Sequence, residues 1–75
     1  MGYEIYYRRT KSGDRYDVYS TIIMKYIKRG LKSPEEVANF VLKYTRLPSS
    51  ENVEEIRQIW IKAAKRAKEE ENERR

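Results

Sequence analysis

The sequence predicts a mostly α-helical fold with one N-terminal β-strand, in a chain that pairs with a second copy of itself. Three observations carry this expectation. The run Arg29-Gly30-Leu31-Lys32-Ser33-Pro34-Glu35-Glu36-Val37 reads as one helix ending and another beginning. Gly30 can take the left-handed conformation that closes a helix, Ser33 can cap the next one, Pro34 suits its first position, and Glu36 completes a capping box with Ser33. Upstream, Tyr3 to Arg9 alternates like a strand but has no assured partner in the chain. Finally, 75 residues without cysteine or histidine can form neither a disulfide nor the usual structural zinc site, so association is the remaining way to enlarge a small core.

Each element follows from its local pattern. Tyr3, Ile5 and Tyr7 fall on one side of the predicted strand, and Glu4, Tyr6 and Arg8 on the other, with Ile5 facing inward. Thr10-Lys11-Ser12-Gly13-Asp14 is turn chemistry, and Asp14 with Asp17 suits a helix start. From Arg15 to Arg29, Val18, Ile22 and Tyr26 recur at intervals of four, as do Tyr19, Ile23 and Ile27, which predicts a first helix ending at Gly30. The same stretch supports a second reading. Arg15 to Thr21 also alternates, so it can pair with Tyr3 to Thr10 as a hairpin about the Lys-Ser-Gly-Asp turn. A second helix is expected from Pro34 to about Tyr44 or Arg46, burying Val37, Phe40, Val41 and Tyr44, and ended by Leu47-Pro48. Ser49 or Ser50 then caps a third, from Glu51 to about Lys68, with Val53, Ile56, Trp60, Ala63 and Ala67 on its stripe and Ile59 and Ala64 widening it. The organisation expected is residues 1–47 as the principal domain, 48–68 as an added helix and 69–75 as a fraying charged tail.

Charge is unevenly placed. Residues 1–33 hold eight Lys/Arg against three acids, whereas 34–50 and 51–75 are each balanced, so the whole net charge of +5 sits in the N-terminal part. A positive field confined to one segment is the footprint of a phosphate-binding face, and equally of a solvated basic surface. Catalysis is disfavoured. Histidine and cysteine are absent, the three glycines are scattered, and no phosphate loop occurs. No metal site, cofactor or small-molecule substrate is expected. No apolar run approaches a membrane span and no signal-peptide plan is visible, so a cytoplasmic location is expected. A high charged fraction with one glutamine leans toward a heat-adapted source.

The order strand, helix, Gly-Leu-Lys-Ser corner, helix resembles the ribbon-helix-helix (Arc/MetJ-like) family of DNA-binding repressors over about residues 3–46. In size and composition the chain is also similar to small regulators from viruses or plasmids of heat-loving archaea, for which the location is the host cytoplasm. The resemblance implies an intertwined homodimer whose two strands form an antiparallel ribbon that enters the major groove of double-stranded DNA. It further implies that Tyr6 and Arg8, with Glu4 and Thr10 at the margins, read bases. Lys32, Ser33, Pro34 and Glu35, with Arg9 and Lys11, would hold phosphates. The dimer interface would contain Ile5, Tyr7, Ile22, Tyr26, Val37, Phe40, Val41 and Trp60, with the third helix packing across it. The function implied is sequence-specific transcriptional regulation. Two other readings stay open: a protein-protein interaction module with an intrachain hairpin and helices, and a nonspecific architectural nucleic-acid binder.

Overall fold

Lys11 and Ser12 alone separate two extended segments. The Thr10 hydroxyl accepts the Ser12 N–H at 3.2 Å and donates to the Gly13 carbonyl at 3.0 Å, and Gly13 has φ +119°. The chain therefore reverses in two residues. A computed structural model describes residues 2–46 and 52–74. Its elements are β1 (Tyr3–Thr10), β2 (Gly13–Ser20), β3 (Lys25–Leu31), α1 (Pro34–Thr45) and α2 (Val53–Glu73). The strands form one antiparallel sheet in the order β1-β2-β3, and both helices cover the same face.

This corrects the expectation of one strand in an intertwined ribbon-helix-helix dimer. The segment predicted as the first helix is β2 and β3, and β1 zips to β2 of its own chain, with Ile5 opposite Val18 and Tyr7 opposite Tyr16. The hairpin reading of residues 15–21 is the one that holds. The physical reason is that positions four apart share a face in a strand as well as in a helix, so the spacing does not discriminate between them, and β2 ends at Ser20, before Ile22. Val18 is fully buried, while Ile22 is 78% exposed in the turn after β2. Valine, isoleucine, tyrosine and threonine also suit a pleated surface better than a helix. Gly30 does have positive φ, at +81°, but it lies within β3 and closes no helix. Asp14 and Asp17, expected at a helix start, are strand residues.

The corner downstream forms as the sequence implies. Ser33 is extended at φ −149°, its Oγ accepts the Glu36 N–H at 3.2 Å, and the Glu36 carboxylate accepts the Lys32 N–H at 3.1 Å. Arg46 ends α1 in the left-handed conformation. Leu47, Pro48, Ser49, Ser50 and Glu51, given roles in ending one helix and starting the next, lie outside the described residues. Asn52 stands at the N-cap of α2, and that helix continues to Glu73 rather than fraying after Lys68, because Glu, Lys and Arg all propagate helix well.

Between sheet and helices lies a core of Tyr7, Tyr16, Val18, Leu31, Val37, Ala38, Val41, Trp60, Ile61 and Ala64. Four residues expected at a dimer interface, Tyr7, Val37, Val41 and Trp60, are buried here within a single chain. Ile5 and Phe40 pack against the core, while Ile22 and Tyr26 are exposed. The first two strands are held by the last described helix: Tyr3 of β1 meets the Trp60 ring edge-on at 5.9 Å, and Lys68 donates to Asp14 of β2 at 2.8 Å. Truncating Val37→Ala at the centre of this core should lower unfolding free energy by about 2 kcal/mol in urea titration, with an unchanged m-value.

Candidate nucleic-acid interface

Because side chains alternate across a strand, the face of the sheet away from the helices carries the other half of each strand. From β1 come Glu4, Tyr6, Arg8 and Thr10; their cross-strand partners on β2 are Tyr19, Asp17, Arg15 and Gly13. From β3 come Tyr26, opposite Tyr19, and Arg29, which contacts Asp17. The four residues predicted to read bases therefore do share one outward face. Missing from the sequence reading were Arg15, Asp17, Tyr19 and Arg29, and the alternation of Arg15 to Thr21 was the signal that placed the first three.

Asp17 organises this face. Its side chain is 3% exposed, yet it is ionised amid three donors. Arg8 Nε donates to Oδ2 at 2.9 Å, the Gly30 N–H donates to Oδ1 at 3.0 Å, and Arg29 Nε lies 3.7 Å from Oδ2. Burial pushes the carboxyl up, but the Arg8 hydrogen bond, the Gly30 N–H and the two guanidinium charges outweigh it and hold the group below its usual range. Reciprocally, the bond to Asp17 raises Arg8. Two arginines are thus fixed with their remaining N–H groups toward solvent, at side-chain exposures of 43% and 58%.

Beside them stands a cluster of three tyrosines. Tyr6, Tyr19 and Tyr26 have ring centroids 5.0 to 6.2 Å apart in tilted and edge-on contacts, and the Arg29 guanidinium covers the Tyr26 ring at 4.7 Å. The Tyr6 hydroxyl donates to Glu4 at 2.6 Å, which raises its pKa. Packed in this way, the rings offer edges and hydroxyl tips more than free faces.

The residues predicted to hold phosphates are not brought together. Arg9 lies on the helix-side face, 3.8 Å from Asp14, Lys11 is in the β1–β2 turn, and Lys32 to Glu35 form the β3–α1 corner. At that corner the Ser33 hydroxyl and the Lys32 N–H are engaged by the chain itself, and the Glu36 carboxylate already complements the positive helix end. A phosphate would meet a resident anion there. Asp14, also expected near a helix start, accepts from Lys68 and from the Tyr7 hydroxyl, which together keep its carboxyl low.

No group of three or more Asp or Glu suited to a metal occurs among the described residues, and no helix there is long and apolar enough to cross a membrane. No family model matches the sequence, and no curated protein or solved structure matches it.

Because Asp14 and Asp17 are both depressed in the folded state, the stability they contribute is complete above the ordinary carboxyl value near 4 and is lost as pH falls through their folded values. Thermal melts between pH 6 and pH 2 should show a progressive drop that begins below about pH 4. In Asp17→Asn the melting temperature should already be lower at neutral pH, by the equivalent of about 2 to 3 kcal/mol, and its acid dependence should be shallower.

Proposed function

We propose that this protein binds double-stranded DNA through the open face of its three-stranded sheet. The observation that carries the reading is that this face displays Arg8, Arg15 and Arg29 around a buried acid which holds two of them, while the opposite face packs Tyr7, Tyr16 and Val18 beneath the helices. Strand spacing of about 4.8 Å makes three strands about 10 Å across, within a major groove about 12 Å wide. The helices stand behind the sheet, clear of the DNA. Arginine N–H groups suit guanine edges and phosphates, and the hydroxyl tip of Tyr26 suits a phosphate oxygen. Each chain presents a finished face, so contact with DNA does not wait on a ribbon shared between two chains. Transcriptional control is the role that such a contact would serve.

Single-stranded binding is less well supported, because stacking platforms need free ring faces, and Arg29 already occupies one face of Tyr26. A protein-interaction reading has its own observation. Ile22, Ile23 and Met24, at the β2–β3 turn, are 78%, 52% and 68% exposed, an apolar tip suited to another protein.

Fluorescence anisotropy with a labelled random duplex across a salt series tests the reading. Binding should weaken steeply with salt, about 0.9 log units per log unit of salt for each phosphate neutralised, and single strands should compete less well than duplex. Arg15→Ala, which leaves the Asp17 pairs intact, should weaken duplex binding about tenfold. No duplex binding at low salt, or better competition by single strands, would count against this function.

A further inference from the structure

The two edges of the sheet differ. β3 pairs with β2 through two register irregularities, between Tyr16 and Val18 and between Val18 and Tyr19, which twist an edge away from further pairing. β1 is regular over eight residues, contains no proline, and pairs with β2 on one side only. Its other side borders a groove of about 310 Å³ lined by Glu4 to Tyr7 and, on α2, by Ala67, Glu70, Glu71 and Arg74. One helical turn back, Ala63 belongs to the adjoining depression on α2 with Ile59, Lys62 and Arg66. Ile59 is 47% exposed there.

We infer that the β1 edge and this flank of α2 together form a docking surface for a second copy of the same chain, joining two intact three-stranded sheets into one of six strands. The argument is self-complementarity. With antiparallel pairing about a twofold axis at Tyr6, Glu4 of each copy lies opposite Arg8 of the other on the open face, and Ile5 opposite Tyr7 on the helix side. The helices obey the same axis. Trp60 packs beside Tyr3 and Lys68 lies over Tyr7, so α2 runs alongside β1 in the same direction. Eight helical residues and four strand residues both span about 12 to 13 Å. An axis at Tyr6 therefore falls beside residue 66, and it sets Lys62 of one copy against Glu70 of the other. Alanines at 63 and 67 leave room for the two helices to approach.

The surface stands independently of DNA, and its test uses none. Sedimentation equilibrium of the full chain at tens of micromolar should show a monomer–dimer equilibrium. Glu70→Arg, an exposed substitution checked for an unchanged circular dichroism spectrum, should raise the dimer dissociation constant at least about tenfold. Adding Lys62→Glu to it should restore most of the loss by exchanging the two charges. Amide exchange at residues 4–8 should slow as protein concentration rises. A monomer at every concentration overturns the proposal. So does a dimer indifferent to Glu70→Arg, or a double variant no tighter than Glu70→Arg alone.

Discussion

The structure depends on one buried carboxylate. Asp17 sits at the middle of the central strand and receives a side-chain bond from β1, through Arg8, and a backbone bond from β3, through Gly30. Among the described residues, no other side chain is hydrogen-bonded to both outer strands. A charge so enclosed is costly unless every lone pair is met, and among the described residues no buried side-chain polar atom lacks a partner. The same requirement explains the positive φ of Gly30. Turning the backbone N–H of that residue toward Asp17 takes a conformation that L side chains resist.

Meeting the needs of Asp17 also shapes the outward surface. Flexible arginine side chains lose conformational freedom when they bind any partner. Here part of that loss is already incurred in folding, for Arg8 by its bond and for Arg29 by its seat over Tyr26. Tyr6 and Tyr19 pack around the same site, so aromatic surface and cationic groups are held in one plane of the sheet. The helix-side face has the opposite character. Tyr7 and Tyr16 pack ring to ring at 5.4 Å beneath α1 and α2, with the Tyr7 hydroxyl donating to Asp14 and the Lys68 ammonium over the Tyr7 ring at the margin. The six strand tyrosines thus divide between two roles according to the face of the sheet, Tyr3, Tyr7 and Tyr16 toward the helices and Tyr6, Tyr19 and Tyr26 toward the open side.

Part of this was legible in the sequence. The Ser33-Pro34-Glu35-Glu36 start of α1 is local chemistry, a cap and its reciprocal partner, and it forms where the residues imply. The alternation of Tyr3 to Arg9 likewise gave the faces of β1 correctly, so Glu4, Tyr6, Arg8 and Thr10 do look outward. What could not be decided locally was residues 15–29, where positions spaced by four and by two are both apolar. The arbiter was distant. Asp17 gains its donors only when Arg8 and Gly30 arrive, and Val18 gains its burial only beneath helices that begin fifteen or more residues later. Reading Gly30 as a helix terminator followed from the same ambiguity, since positive φ serves a strand irregularity as readily as a helix end. Arg15, Tyr19 and Arg29 were overlooked because a helix would have scattered them around its circumference.

Tyr3 against Trp60, and Asp14 against Lys68, make β1 and β2 complete their packing with α2, the last element described. During translation the three strands emerge with one greasy side bare, and they can curl into a meander well before anything exists to shield it. Final consolidation therefore waits for the ribosome to deliver α2. Until then the nascent meander is exposed to holding chaperones and to mispairing with its neighbours on a polysome.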